Sequence, residues 1–275
     1  MTFDFVRSHG LGNDYLVVDA TTLGFDLTPE RVRAICDRHT GIGSDGILAL
    51  VPTDQADFAV RILNPDGSEA EKSGNGLRIF AKFLADHGYT HRDEFTIQTL
   101  GGIVRARLLR DGERVVAVRV DMGRATIDRR LTQLEVEGQT LPVVVVSVGN
   151  PHCVVLVDDL ARIDLFHLGP RIENHPAFPS RTNVQFAQVL GRREVRALIW
   201  ERGAGHTLAS GSSACAVAAA SYDRGLVDGE VTVRMEGGDL AIGIDPDLDL
   251  VMTGPVEEIC AGRFSADFRA RLLGE

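Results

Sequence analysis

Short apolar runs punctuated by glycine, asparagine and aspartate dominate this chain. Residues 14–19, 47–51, 57–63, 94–99 and 103–109 are enriched in β-branched side chains and bounded by Gly or Pro-Asp, which predicts strands. One stretch changes period: Leu77, Phe80, Ala81 and Leu84 recur at helical spacing and Gly88 sits at a helix-ending position, so a helix is expected over 75–87. In the second half, 214–222 is alanine-rich and apolar on every side, and a helix of that kind is buried. Residues 141–148 read as a buried strand despite Pro142, and 264–273 as a last helix packing back on the first half.

The pattern occurs twice. Gly12-Asn13 returns as Gly149-Asn150, 137 residues on (149 − 12), and each pair leads into a Val-Val strand, Val17-Val18 and Val154-Val155. Ser73-Gly74 and Ser210-Gly211 share that offset, and 58–62 aligns without a gap on 195–199. Thr96-Ile97 with Gly101-Gly102 corresponds to Thr232-Val233 with Gly237-Gly238, one residue closer. A common offset of half the chain length indicates a duplication. The expected fold is α+β: two pseudo-symmetric lobes, each a curved, mostly antiparallel sheet around a central helix. Residues 1–115 with 259–275 form the first lobe and 116–258 the second, with the active-site cleft between them.

Composition narrows the function classes. A chain of 275 residues with 44% hydrophobic and 25% charged residues is an ordinary globular protein with a full core. Its 29 basic and 39 acidic residues give a net charge of −10, which disfavours a nucleic-acid surface. No run reaches the 18 or more apolar residues of a membrane helix. The opening Met1-Thr2-Phe3-Asp4-Phe5-Val6-Arg7 lacks the basic-then-apolar form of a signal peptide, so a cytoplasmic protein is expected. Cys36, Cys153, Cys215 and Cys260 form no CxxC pair and read as buried free thiols.

The candidate chemistry lies at the two Ser-Gly pairs. In both halves a strand runs through a loop into Ser-Gly and then the buried helix. A helix N-terminus offers unpaired N–H groups and partial positive charge to a carboxylate, and Gly lets a ligand approach the backbone. Ser73 and Ser210 also suit simple capping; their duplication within polar loops raises them to site candidates.

The loops themselves carry a resemblance. The segment Asn64-Pro65-Asp66-Gly67-Ser68-Glu69-Ala70-Glu71-Lys72-Ser73-Gly74-Asn75-Gly76-Leu77-Arg78 resembles the first-base motif of the diaminopimelate epimerase family. Trp200-Glu201-Arg202-Gly203-Ala204-Gly205-His206-Thr207-Leu208-Ala209-Ser210-Gly211-Ser212 resembles its second-base motif. Gly149-Asn150-Pro151-His152, Arg181-Thr182-Asn183-Val184-Gln185-Phe186, Gly10-Leu11-Gly12-Asn13-Asp14-Tyr15 and Gly41-Ile42-Gly43-Ser44-Asp45-Gly46 complete the set, in order along the whole chain. The resemblance implies a cofactor- and metal-independent isomerase of amino-acid biosynthesis that converts LL- to meso-diaminopimelate between two bases, with a homodimer as the family expectation. It puts Ser73 and Ser210 at the base positions, with His152 and Glu201 supporting them. Asn13, Asn64, Asn150, Asn183 and Arg202 fall in the substrate-binding shell with Glu201, and the amides around Gly74, Asn75, Gly211 and Ser212 hold the reacting carboxylate.

The departures from the family lie at the chemistry. Serine replaces the family's cysteine at both base positions, His206 stands where Glu is usual, and Lys72 replaces an apolar residue. A thiol has a pKa of about 8.5 and a hydroxyl lies near water, about 15.7. That gap of roughly 7 units is on the order of 10 kcal/mol, more than a helix terminus supplies. Two serines acting alone are therefore expected to be very poor bases. Three readings stand: serines introduced to trap substrate, a natural variant with His152, His206 or Lys72 as base on another amino-acid-like substrate, or a binding homologue without catalysis. The further changes at 72, 206 and Ser213 favour a natural variant.

Overall fold

The computed structural model describes residues 3–275; Met1 and Thr2, the start of the segment read for a signal peptide, lie outside the described residues. Five helices occur among them: α1 (Pro29–Cys36), α2 (Gly74–Asp86), α3 (Leu165–Glu173), α4 (Gly211–Asp223) and α5 (Ala266–Leu273). The chain divides into two units, one of residues up to Val120 together with Pro255–Glu275, the other Asp121–Gly254. Sequence spacing placed the two crossings near 116 and 258.

In the first unit, Phe5–Gly10 pairs antiparallel with Asn13–Asp19, which lies parallel to Ile47–Val51. Ile47–Val51 pairs antiparallel with Phe58–Leu63, which lies parallel to Glu94–Thr99, and Gly102–Asp111 follows antiparallel. The second unit repeats this order. Gln139–Ser147 pairs antiparallel with Pro151–Leu156, which is parallel to Asn183–Gly191; Glu194–Glu201 follows antiparallel, then Glu230–Met235 parallel and Gly238–Ile244 antiparallel. Even the register repeats. Leu16 opposite Ile47 becomes Cys153 opposite Val184, and Phe58 opposite Ile97 becomes Val195 opposite Val233. Each parallel step is bridged by a helix, α1 or α3 for the first and α2 or α4 for the second, since parallel strands need a long crossover.

α2 and α4 are the centres of their units. α4 reads Gly-Ser-Ser-Ala-Cys-Ala-Val-Ala-Ala-Ala-Ser-Tyr-Asp, and its small side chains let it contact six surrounding strands while Ala214 to Ala220 stay fully buried. α2 fills a similar place with larger residues, Leu77, Phe80, Phe83 and Leu84. It also buries two cations. Arg78 donates from Nη2 to Asn75 Oδ1 at 2.9 Å, and Lys82 pairs with Asp86 at 2.6 Å, because a buried charge without a partner is costly.

α1 and α3 were not anticipated. α1 has only eight residues, capped by Thr28 with Pro29 in its first turn, and buries Val32, Ile35 and Cys36. α3 contains Gly169-Pro170, a breaker by sequence. Tertiary packing overrides it: a Cβ at Gly169 would lie 2.6 Å from the Trp200 ring, so glycine brings the helix onto the sheet. α5, capped by Ser265, packs Leu272 with Phe264 against Phe5, Leu16 and Ile35 in the first unit's core. Cys36, Cys153 and Cys215 are buried free thiols as expected; Cys260 is instead exposed, because Glu257–Gly262 pairs with Phe5–Gly10 and presents most of its side chains to solvent. No helix among the described residues is long and apolar enough to cross a membrane.

Candidate active site

Ser73 and Ser210 occupy matching positions in their own units. Ser73 is the N-cap of α2 with φ −136° and ψ 117°, and Ser210 the N-cap of α4 with φ −143° and ψ 125°. Ser73 Oγ accepts from the Gly76 amide at 3.0 Å, and Ser210 Oγ from the Ser213 amide at 3.5 Å. Gly74 and Asn75, like Gly211 and Ser212, therefore sit in first turns whose amides have no intrahelical acceptor. Neither first turn contains an acidic residue, so the positive end of each helix stays uncompensated by its own side chains.

The second unit brings most of its expected residues into one network. Ser210 donates to Glu201 Oε2 at 3.0 Å. His152 is fully buried, with Nε2 2.9 Å from Asn150 Oδ1 and Nδ1 3.0 Å from Gln185 Nε2. Gln185 Nε2 also donates to Ser213 Oγ at 3.0 Å. Burial pushes the His152 imidazole down to about 3 and outweighs the Gln185 contact, so the ring is neutral, with its proton on Nε2 facing the Asn150 carbonyl. A neutral, enclosed imidazole holds its neighbours in place; it is not a free base.

Asn183 serves the backbone. Its Nδ2 donates to Pro151 O at 2.8 Å and its Oδ1 accepts the Arg202 amide at 3.0 Å, tying the loop after Glu194–Glu201 to the strand beside it. The same loop is fastened by Glu173 at the end of α3, which accepts from Trp200 Nε1 at 2.7 Å, the Gly203 amide at 2.9 Å and Arg181 at 3.1 Å. Arg202 keeps an exposed guanidinium that donates to Ser180 O at 3.3 Å. His206, considered as a base from sequence, pairs with Glu236 at 2.6 Å.

The first unit is built differently around the same cap. Asn13 donates to Asp45 Oδ2 at 2.9 Å and accepts from Asn75 Nδ2 at 3.2 Å, which fixes its amide orientation. Behind it, Arg38 bridges Asp14 at 2.8 Å and Asp45 at 2.7 Å, and Arg7 binds Asp14. Burial works against ionisation of Asp14, but the two guanidiniums hold its carboxyl below the ordinary range. Asn64 Nδ2 donates to Ser68 Oγ at 2.9 Å. The neighbour of Ser73 is Tyr15, whose Oη lies 3.3 Å from Ser73 Oγ. Glu173 was not picked out from sequence; Tyr15, Asp45 and Gln185 were quoted only within motifs, and Ser213 only as a departure from the family, none of them with a role. The repeat carried a signal for Tyr15, since the offset of 137 pairs it with His152. Among the described residues, no three His, Cys, Asp or Glu side chains converge so as to hold a metal ion.

Relatives match this chain over nearly its whole length. The chain is 45% identical to diaminopimelate epimerase 2 of Nostoc sp., over 97% of each chain, and 44% identical to the diaminopimelate epimerase of Moorella thermoacetica, over 96% of this chain and 99% of that one. Among solved structures, the fold resembles a phenazine biosynthesis protein of Bacillus anthracis (TM-score 0.73, 16% identity, 94% of this chain and 98% of that one). It also resembles a hydroxyproline epimerase of Agrobacterium vitis (TM-score 0.71, 17% identity, 93% of this chain and 90% of that one). The family model for diaminopimelate epimerase matches residues 5–127 and 144–259, taking in both serine-capped helices, and the chain belongs to the diaminopimelate epimerase family.

Proposed function

We propose that this protein is a cofactor-independent amino-acid isomerase that interconverts the two configurations at one α-carbon of diaminopimelate or a close analogue. Full-length identity with named diaminopimelate epimerases supports the substrate class. The observation that carries the chemistry is the matched pair of serine-capped, buried helices, one in each half of a duplicated fold. In this reading Ser73 and Ser210 address opposite faces of the α-carbon in a cleft between the halves. The first-turn amides at Gly74-Asn75 and Gly211-Ser212 hold its carboxylate, where charge builds as the proton leaves. Asn13, Asn64, Asn150 and Asn183 form the polar shell, and the exposed fork of Arg202 suits a carboxylate at the substrate's far end.

Glu201, expected from the resemblance to support the bases, offers Ser210 a carboxylate in line to receive its hydroxyl proton. A net charge of −10 fits a small-molecule enzyme better than a nucleic-acid binder. A cytoplasmic homodimer belongs to the same proposal, on the family resemblance. Incubating the protein with LL-diaminopimelate in D2O and following the α-proton by NMR tests the activity. Loss of that signal with appearance of the meso form is the expected result. Saturable binding without exchange would mark the chain as a binding homologue.

A further inference from the structure

The two caps differ in what stands behind the serine. In the second unit Ser210 donates to a carboxylate, Glu201, and accepts from the amide of Ser213, whose hydroxyl accepts from Gln185. The offset of 137 places Asn64, Gly76 and Leu48 at the corresponding positions of the first unit. Asn64 is turned to Ser68 and Gly76 has no side chain; Leu48 is apolar and fully buried. None of the three offers Ser73 an ionisable partner. What reaches Ser73 is the phenol of Tyr15, 3.3 Å from Oγ, on a ring only 7% exposed.

That phenol is held in place by construction. Tyr15 lies on Asn13–Asp19, opposite Ser8 of the neighbouring strand. Its ring passes over Gly46, where a Cβ would meet Tyr15 Cε1 at 2.8 Å and Leu63 O at 2.5 Å. Gly46 has φ +155°, a conformation an L side chain rarely adopts, so the glycine both permits the turn and leaves room for the ring. The Ser73 hydroxyl meanwhile accepts the Gly76 amide, which directs its remaining valences away from the helix.

We infer that Tyr15 is the proton relay for Ser73, taking in the first unit the part that Glu201 takes for Ser210. This rests on the isomerase reading above. When the α-carbanion is reprotonated, its electron pair takes the Ser73 hydroxyl proton to form the Cα–H bond. The Tyr15 O–H bond breaks as its proton passes to Ser73 Oγ, and the bonding pair stays on Oη as phenolate. In the reverse direction Ser73 Oγ takes the α-proton while its own proton moves to the phenolate. A phenol ionises near pH 10 against about 15.7 for a hydroxyl, so charge that Ser73 would hold poorly rests on an aromatic oxygen. Tyr15 acts through Ser73 and is a positioning and relay residue, with no contact to substrate required.

The test compares α-proton exchange with diaminopimelate in D2O for the protein, Tyr15→Phe, Ser73→Cys, and the two substitutions combined, with Kd from calorimetry for each. A thiol ionises without help, so the relay matters for Ser73 and much less for a cysteine there. Tyr15→Phe is expected to lower kcat by about 100-fold or more in the serine protein with KM and Kd within about three-fold, a loss made only in the transition state. The same substitution should cost at least ten-fold less in the Ser73→Cys background. Equal losses in both backgrounds, or a loss confined to KM, would make Tyr15 a packing residue and overturn the relay. Absence of exchange from the serine protein also overturns it. The Ser73→Cys/Ser210→Cys protein then shows whether the isomerase reading falls too: exchange there keeps it, and none removes it.

Discussion

The physical character of the candidate site is set residue by residue, by who satisfies each buried polar group. His152 shows this most plainly. Its imidazole is sealed from water, both ring nitrogens are engaged, and burial pushes its pKa from 6.5 to about 3. The unfolded chain therefore binds a proton near pH 6.5 that the folded chain refuses until about pH 3. Stability from this group is fully present above pH 6.5 and drains away as pH falls through that window, by up to about 1.4 kcal/mol per pH unit. Urea titrations at pH 7, 5.5 and 4.5 should show this slope in the native protein and a shallower one in His152→Gln. Parallel profiles would mean that His152 titrates normally. Asn183 teaches a related lesson: both ends of its amide are spent on backbone groups, so its substitution should act first on loop position.

Between elements, the decisive contacts are close approaches that only small residues allow. α3 meets the Trp200 ring at Gly169, and the same indole donates to Glu173, which in turn clasps the loop of Arg202 and Gly203. Helix, strand and loop are thus one mechanical piece. Gly169→Ala puts a Cβ 2.6 Å from the ring and should destabilise the fold by about 1–3 kcal/mol through overpacking. Differential scanning calorimetry would register this as a lower Tm, and kcat should fall with it if the loop shifts. An unchanged Tm would show that the ring can move aside. Alanine in α4 works on the same principle, since each small side chain permits a strand to sit against the helix.

For the whole molecule the central fact is duplication without identity. The same strand order, register and capped helix occur twice, yet one serine faces a carboxylate and the other a phenol. An epimerase needs its two bases in opposite protonation states, because at any instant one must accept a proton while the other donates, and unlike neighbours bias which is which. Replacing both oxygens by sulfur tests how much of the rate is limited by hydroxyl acidity. Ser73→Cys with Ser210→Cys should accelerate α-proton exchange by at least about ten-fold, given roughly 7 units between the pKa values of thiol and hydroxyl. One cysteine alone should give less, since inversion requires both faces. Slower exchange in the double variant would show that Tyr15 and Glu201 are matched to oxygen and fail with sulfur.

Much of this was legible in the residues themselves. Helical spacing at Leu77, Phe80, Ala81 and Leu84, and β-branched runs such as Ile47–Val51, are local signals, and the offset of 137 needs only counting. The sequence alone also yielded the family and the two capped helices, because motif and cap are written in consecutive residues. Local signals failed where packing reversed a local preference, as at Gly169-Pro170 inside α3, and where exposure depends on what covers a strand, as at Cys260. Glu201 was expected beside Ser210, but the partner of Ser73 escaped local reading for a further reason. Tyr15 and Ser73 stand 58 residues apart, and nothing near either names the other. Sequence determined that each central helix is capped by a hydroxyl; only the tertiary structure, by bringing neighbouring strands to each helix end, decided that one hydroxyl meets the Glu201 carboxylate and the other the Tyr15 phenol.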